Sequence, residues 1–229
     1  MIPGGGGHEQ IRGLHLVWVL EADLPAGVGW LGRRELEVLE GLRLEKRRRD
    51  WLLGRWAAKL ALRGLLGTSD DGREVLADAS GRPQVHLPDG PDVGEQVSLS
   101  ISHSAGIGFV ALRKGSEPIG CDVERIEARS DAFVADYFTG PEREAVDRLP
   151  HADRALVATL IWSGKESALK VLGEGLRLDT RSVEVDTATL KMSGAEWSPL
   201  AVTGPEGRIF QGRWRVRHGL VWTVLSESN

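Results

Sequence analysis

Two carboxylates in the middle of the chain stand one residue apart. Residues 119–124 (IGCDVE) have the composition of a strand, so Asp122 and Glu124 should project from one face. Like charges this close repel unless a cation lies between them, and an all-oxygen donor set suits a hard ion such as magnesium. Taken alone, the pair is better explained as an acidic edge neutralised by Arg125 or water.

A second segment places charged residues at helical spacing. Trp162, Glu166 and Lys170 stand four residues apart within an apolar pattern over residues 152–172, so they share one helix face. An ordinary surface pair between Glu166 and Lys170 also explains this spacing. Gly164 is costly inside a helix, which favours close packing of this segment and a special site.

Possible phosphate ligands lie in the first half of the chain. Ser102 and His103 end a predicted strand beside a small-residue turn, where a hydroxyl and an imidazole can bind phosphate oxygens or serve an ordinary structural purpose. If the helix through the basic run 46–49 is continuous, Arg48, Arg55 and Lys59 share a face. That face could be solvated or form an anion pocket, whereas acidic neighbours argue against nucleic-acid binding.

The elements that must position these residues follow from hydrophobic patterning. Strands are predicted at residues 14–20, 74–77, 84–87, 97–103, 107–112, 119–124, 182–185, 209–217 and 220–225, and helices within 32–66, at 142–148 and at 152–172. The order of strands and helices predicts an α+β fold. We expect a flexible N-terminus at residues 1–12 and lobes at 13–115 and 116–229.

Composition restricts the class of protein. The chain has 229 residues, a formal net charge of -4 and 41% hydrophobic residues, as a folded protein should. Cys121 is the only cysteine, so an intramolecular disulfide and a cysteine-based zinc site are excluded. We find no signal peptide and no apolar stretch of the roughly 18 residues that a membrane span needs. The expectation is a cytoplasmic protein without a membrane or nucleic-acid partner.

Taken together and in order, these segments resemble the 4'-phosphopantetheinyl transferases of the large, surfactin-synthetase-activating type. The resemblance rests on Leu53-Gly54-Arg55, Gly81-Arg82-Pro83, Ile101-Ser102-His103-Ser104, Gly120-x-Asp122-x-Glu124, Tyr137-Phe138-Thr139 and the segment from Trp162 to Lys170. The acidic pair and the segment from Trp162 to Lys170 are specific as a set, although either is weak alone.

The resemblance implies two similar α+β lobes in a pseudo-twofold arrangement, with the active site in the cleft between them. It implies transfer of the phosphopantetheine arm of coenzyme A to a serine of an apo acyl- or peptidyl-carrier protein, releasing adenosine 3',5'-bisphosphate. Asp122, Glu124 and Glu166 would bind Mg²⁺. Glu166, or a metal-bound water beside it, would take the serine proton, and Lys170 would act near the phosphates.

For coenzyme A itself, the resemblance implies ligands in both halves of the chain. These are Arg48, Arg55, Gly81, Arg82, Pro83, Ser102, His103, Lys165 and Lys170. Two other classes remain open: another magnesium-dependent phosphate enzyme, such as a phosphohydrolase or nuclease, and a non-catalytic module that binds coenzyme A or a carrier protein. Two lobes in one chain would make a monomer sufficient.

Overall fold

The computed structural model describes residues 5–67, 72–87, 97–190 and 196–228. The chain divides into two compact units, Met1–Glu117 and Pro118–Asn229. Each unit combines an antiparallel sheet with helices, which confirms the predicted α+β class. Among the described residues, no helix is both long and apolar enough to cross a membrane.

Unit 1 packs helices on a four-stranded sheet. Its elements are β1 (Gly7–Ile11), β2 (Leu14–Leu20), α1 (Arg33–Gly41), α2 (Glu45–Leu66), β3 (Glu74–Ala77), β4 (Pro83–His86), β5 (Val97–Ser104) and β6 (Ile107–Lys114). The sheet has the order β1-β2-β6-β5, and β3 and β4 form a separate two-stranded sheet. Leu53, Ala57 and Ala61 of α2 contribute a buried face to the core of the unit.

The structure corrects the expectation of a flexible stretch over residues 1–12. Residues 7–11 form β1, which pairs antiparallel with β2. The turn between them uses Arg12 and Gly13 at φ 46° and 79°, the left-handed conformation that tight hairpins need. The alternation of β1 is hidden in the sequence because, apart from Ile11, its half-exposed and exposed positions are all polar or small. Residues 1–4 lie outside the described residues.

Unit 2 is built on a five-stranded antiparallel sheet. Its elements are β7 (Ile119–Arg125), α3 (Asp131–Tyr137), α4 (Gly140–Asp147), α5 (His151–Leu172), β8 (Glu184–Val185), β9 (Ser198–Thr203), β10 (Ile209–Arg217) and β11 (Leu220–Glu227). The strand order is β7-β11-β10-β9-β8. Helix α5 packs on β7 and β11 at one side of this sheet. The core includes Trp214, Phe210 and Leu160, all fully buried.

Each unit brings its long helix very close to one strand through a glycine. A Cβ at Gly108 of β6 would lie 2.6 Å from the Leu53 carbonyl oxygen of α2, and a Cβ at Gly120 of β7 would collide with the Ser167 carbonyl oxygen of α5. Only glycine allows such an approach of backbone to backbone. In unit 2, this contact sets the distance between the strand and the helix that bear the predicted acidic residues.

Each unit also contains its own buried ion pair between a lysine of the long helix and a glutamate. In unit 1, Lys59 Nζ lies 2.8 Å from Glu35 Oε2, and in unit 2, Lys165 Nζ lies 2.8 Å from Glu142 Oε2. Both glutamates also accept hydrogen bonds from the backbone at the start of their own short helix, the pattern of a capping box. The same combination of a capping glutamate and a buried lysine therefore occurs beside the long helix of each unit.

Candidate active site

Strand β7 presents the acidic pair to helix α5. Asp122 is buried, at 3% exposure, and Glu124 is half-buried, and alternation along the strand places both on one face. The same face carries Gly120, where α5 approaches most closely. This confirms the predicted strand and places its carboxylates against a helix, which corrects the interpretation of the pair as a solvent-exposed edge.

Helix α5 brings a lysine and a third carboxylate to the pair. Lys170 Nζ lies 2.9 Å from Asp122 Oδ1 and donates to the Cys121 carbonyl oxygen at 2.9 Å. Glu166 stands one turn earlier on the same helix face and is half-buried. Lys170 thus pairs with Asp122 across the helix–strand contact, which the surface-pair interpretation did not anticipate.

The electrostatics show that these groups act on one another. Burial raises the pKa of Glu166 to about 7, Lys170 opposes the rise, and the charges of Asp122 and Glu124 add to it. Burial, followed by the charge of Asp122, also raises the pKa of Glu124. Burial alone would lower the pKa of Lys170, but Asp122 and Glu166 outweigh it and raise that pKa. The cluster holds more negative charge than its lysine neutralises.

Two further side chains hold Glu124 in place. Arg129 Nη2 lies 3.4 Å from Glu124 Oε2, and the Arg129 guanidinium stacks 5.0 Å from the Phe133 ring centre. Trp162, one turn before Glu166 on α5, also makes a side-chain hydrogen bond that lowers the pKa of Glu124. Trp162 therefore has a direct link to the acidic pair. Arg129 carries no motif that would mark it in the sequence.

The donor set suits a hard divalent cation, but its members do not yet surround a common point. Three carboxylates face one ammonium, so a bound cation would relieve their mutual repulsion. Across the described ranges, no three histidine, cysteine or acidic side chains are placed so that they could hold a metal ion as they stand. Lys170 contacts Asp122 in this arrangement. Metal binding at the cluster therefore requires its carboxylates to move closer together.

Lys165 lies apart from the acidic cluster, although Glu166 is its neighbour in sequence. Its side chain is fully buried, and Nζ contacts Glu142 Oε2 at 2.8 Å, the Thr180 carbonyl oxygen at 2.9 Å and the Val183 carbonyl oxygen at 2.5 Å. An ammonium has three hydrogens, and three acceptors surround this one. The structure therefore places Lys165 inside the protein core rather than at an accessible phosphate site.

Arg55 is a buried cation of unit 1. Its side chain is 9% exposed, its guanidinium lies 4.8 Å from the Trp51 ring centre, and its Nε is buried without a hydrogen-bond partner among the described residues. Burial lowers its pKa to about 10, so it stays charged at neutral pH. Arg55 lines a cavity of about 490 Å³ with Trp51, Arg34 and Leu76. The cavity is thus lined by a charged guanidinium.

The other two cations predicted on the face of α2, Arg48 and Lys59, contact groups outside the cavity that contains Arg55. Arg48 Nη1 donates to the carbonyl oxygens of Leu39, at 2.5 Å, and Leu42, at 3.2 Å, and so caps the end of α1. Lys59 is bound to Glu35 in the core. The continuous helix α2 confirms the condition for a shared face, but Arg55 alone of the three predicted cations on it lines the cavity.

The remaining predicted coenzyme ligands of unit 1 lie around the β3–β4 turn and at the end of β5. Gly81 and Arg82 lie in the β3–β4 turn, where Asp78 Oδ1 accepts from Arg82 N at 3.0 Å and Gly81 adopts φ 87°, and Pro83 begins β4. Pro83 pairs with Ala77, another residue lining the cavity that contains Arg55. This turn therefore lies next to that cavity.

Ser102 and His103 lie at the end of β5. Ser102 is buried, whereas His103 is 45% exposed and its Nδ1 lies 3.9 Å from Asp50 Oδ2. Neither residue lines the cavity that contains Arg55. The structure thus divides the predicted coenzyme ligands of unit 1 between two places.

Sequence patterns missed the buried glutamates. Glu142 accepts from Thr139 N at 2.8 Å and Val185 N at 2.7 Å in addition to Lys165. The spacing of Thr139 and Glu142 is that of a capping box and could have marked the start of a helix, but not the ion pair.

Comparison with known proteins points to one family. Residues 118–215, which lie within unit 2 and include the whole acidic cluster, match the model of the 4'-phosphopantetheinyl transferase superfamily. The 4'-phosphopantetheinyl transferase gsp of Aneurinibacillus migulanus is 28% identical over 127 residues, 53% of this chain and 51% of that protein. The chain thus spans about half the length of the curated relative that it matches.

Proposed function

We propose, because residues 118–215 match the model of the 4'-phosphopantetheinyl transferase superfamily, that this protein transfers the phosphopantetheine arm of coenzyme A to a carrier protein. The acceptor is a serine hydroxyl of an apo acyl- or peptidyl-carrier protein, and the second product is adenosine 3',5'-bisphosphate. We further propose that the enzyme is of the surfactin-synthetase-activating type and acts as a cytoplasmic monomer.

The observation that carries the proposal is the acidic cluster with its lysine. Asp122 and Glu124 of β7 meet Glu166 and Lys170 of α5 inside the region that matches the family. Phosphoryl transfer needs positioning and charge stabilisation rather than covalent chemistry from the protein. A cluster with excess negative charge beside a fixed ammonium can bind a cation and orient a phosphate.

Asp122, Glu124 and Glu166 are the residues proposed to bind Mg²⁺. Their carboxylates fit a hard cation by donor type, and their mutual repulsion would be relieved by one. When bound, Mg²⁺ neutralises phosphate oxygens and stabilises charge that develops during transfer. Lys170 would then leave Asp122 for a phosphate oxygen, since its raised pKa keeps it charged.

Glu166 is also the proposed base for the carrier serine. A pKa of about 7 makes it able to accept a proton near neutral pH, whereas a bound cation would lower that pKa. Glu166→Gln separates the roles, because the amide keeps an oxygen ligand but cannot take a proton. We expect this variant to lose transfer about a hundredfold and to retain weakened Mg²⁺ binding.

On the coenzyme side, we propose Arg55 as the main ligand of the 3'-phosphate. Its buried guanidinium lines the cavity beside the β3–β4 turn, so Gly81, Arg82 and Pro83 are proposed for the adenine portion. Ser102 and His103 remain proposed phosphate ligands. We omit Arg48 and Lys165 as direct ligands, because both side chains have internal partners.

Product analysis tests this function against the alternatives. The protein is incubated with coenzyme A and Mg²⁺, with and without an apo carrier protein, and nucleotides are separated by chromatography. A transferase releases adenosine 3',5'-bisphosphate only when the carrier is present. Release without a carrier would indicate a phosphohydrolase, and binding without release would indicate a non-catalytic module.

Asp122→Asn and the exposed Asp147→Asn form a matched pair for this assay. We expect the first to abolish release and the second to leave it unchanged, since Asp147 lies on α4 outside the acidic cluster. Equal release by the two variants would contradict the role of the cluster.

A further inference from the structure

Three hydroxyl groups form a cluster in the core of unit 2. Thr223 Oγ1 of β11 lies 2.9 Å from Ser163 Oγ and 2.7 Å from Ser167 Oγ, and it lies 3.1 Å from the Ser163 carbonyl oxygen. All three side chains are fully buried. We refer to Thr223, Ser163 and Ser167 as the hydroxyl cluster. It joins α5 to the sheet by short directional bonds.

The hydroxyl cluster is adjacent to the acidic residues on both elements. Thr223 is the cross-strand partner of Asp122, so the two side chains project from the same face of the sheet. On α5, Ser163 and Ser167 lie on either side of Glu166 in the sequence. The bonds from Thr223 therefore connect the strand position opposite Asp122 with the helical turn that carries Glu166.

Stability alone does not explain why the hydroxyl cluster, rather than apolar side chains, occupies the contact between α5 and the sheet. A valine has nearly the shape of threonine, and apolar packing at such a contact can match or exceed a buried polar network in stability. Apolar packing lets a helix slide or rotate slightly, whereas a fully satisfied hydrogen-bond network fixes one arrangement. Here that arrangement determines where Glu166 stands relative to Asp122 and Glu124.

We propose that Thr223 is a positioning residue that, through Ser163 and Ser167, fixes Glu166 of α5 against the acidic pair of β7. This inference rests on the proposed function, in which those carboxylates bind Mg²⁺. Thr223 touches neither substrate nor metal in this account. It acts by holding α5 at a fixed position against the sheet, and so Glu166 near the acidic pair.

Direct binding of Mg²⁺ to the full chain, without coenzyme A or carrier, tests the proposal. Calorimetric titration is performed on the wild type, Thr223→Val and Thr223→Ser at a temperature where circular dichroism shows each to be folded. Removing a residue that orients metal ligands typically weakens affinity about 10–100-fold. We expect about a tenfold loss for valine and less than a twofold change for serine, which retains the hydroxyl.

Urea unfolding of the same variants separates positioning from stability. Thr180→Val is the matched control, because Thr180 is also buried and its hydroxyl donates to the Tyr137 carbonyl oxygen at 2.9 Å, outside the hydroxyl cluster. We expect it to shift the unfolding midpoint without changing Mg²⁺ affinity. Ser167→Ala should weaken Mg²⁺ binding in the same direction as Thr223→Val, and it provides a second variant should valine disturb folding.

The outcomes distinguish this inference from the proposed function. If Thr223→Val changes only the unfolding midpoint, Thr223 is structural and the inference is wrong. If the wild type binds Mg²⁺ but does not modify a carrier, the proposed function fails, and the comparison of variants still decides the role of Thr223. If the wild type binds no Mg²⁺, the inference fails together with the metal part of the function.

Discussion

Replacement of Lys165 by methionine should destabilise the protein rather than weaken coenzyme binding. The substitution removes a cation that has three acceptors, Glu142 and the carbonyl oxygens of Thr180 and Val183, and leaves their polar atoms buried. Breaking a buried ion pair on one side costs about 3–5 kcal/mol. Backbone donors from Thr139 and Val185 still satisfy part of the Glu142 carboxylate, which offsets some of that cost.

We therefore expect Lys165→Met to lower the free energy of unfolding by about 3 kcal/mol, from the lower end of that range. Urea denaturation followed by circular dichroism measures the loss. Lys59→Met removes the corresponding cation of unit 1, bound to Glu35, and should cost a similar amount. The exposed Lys114→Met should change stability by less than about 0.5 kcal/mol.

The opposite pattern would refute this reasoning. Suppose that Lys165→Met unfolds at the same urea concentration as the wild type while its KM for coenzyme A rises severalfold. Lys165 would then contact the substrate, and its buried ion pair would not contribute to stability. A kcat/KM for folded protein near that of the wild type would instead support a purely structural ion pair.

Three further changes test the site and its packing. Glu166→Gln should raise the unfolding free energy of metal-free protein by about 1–3 kcal/mol at pH 8 and by little at pH 4. The pKa of Glu166 is raised from 4.5 to about 7 in the folded protein, so the wild type loses stability as pH rises between these two values and no further above them. Equal effects of the substitution at both pH values in urea titrations would contradict this. Arg55→Met should raise the KM for coenzyme A about tenfold but not for its analogue without the 3'-phosphate, and equal changes for both would argue against the phosphate contact. Gly120→Ala should lower the free energy of unfolding by about 1–3 kcal/mol, because the new Cβ collides with the Ser167 carbonyl oxygen. Gly64→Ala, in open space on helix α2, should leave stability unchanged or increase it. Thermal unfolding in which Gly120→Ala is the more stable of the two variants would refute the close packing.

Elements with strong periodicity could be predicted closely from the sequence. The bounds of β2 and β10 agree with the predicted 14–20 and 209–217, and α5 begins one residue before the predicted start. These segments are long, apolar and ended by turn signals such as His218-Gly219, which has φ values of 54° and 73°. Residues 68–71 and 88–96, on either side of the strands predicted at 74–77 and 84–87, lie outside the described residues.

Two short or interrupted elements, β9 and α3, could not be predicted, although the four-residue strands β3 and β4 lie within one residue of their predicted bounds. Strand β9 contains Pro199, a residue that usually argues against a paired strand. On the side of β9 opposite β10, β8 pairs with residues 202 and 203, and no strand of the described residues pairs with Pro199 there. Helix α3 has seven residues, too few to show a period, and it forms because Ser130 caps Phe133 N and the Phe133 ring packs 4.9 Å from Trp162. Tertiary contacts decide such elements.

At the candidate site, too, placement within one element could be predicted from the sequence, whereas a contact between distant elements could not. Alternation and helical spacing correctly placed Asp122 with Glu124 and Glu166 with Lys170, because each pair lies on one element. Lys165 is one position from Glu166, or about 100° around the helix, so it points toward other partners. Which partners those are depends on Glu142, distant in sequence, and no local pattern encodes that contact.

Intact-mass spectrometry of an apo carrier protein tests the central proposal most directly. The carrier is incubated with this protein, coenzyme A and Mg²⁺, beside reactions that contain a chelator, Asp122→Asn, or a carrier whose acceptor serine is alanine. We predict that the carrier gains the mass of one phosphopantetheine arm with the wild-type protein and gains nothing in those three controls. A gain that persists with the chelator or with Asp122→Asn, or no gain on any of several acyl and peptidyl carriers, would contradict it.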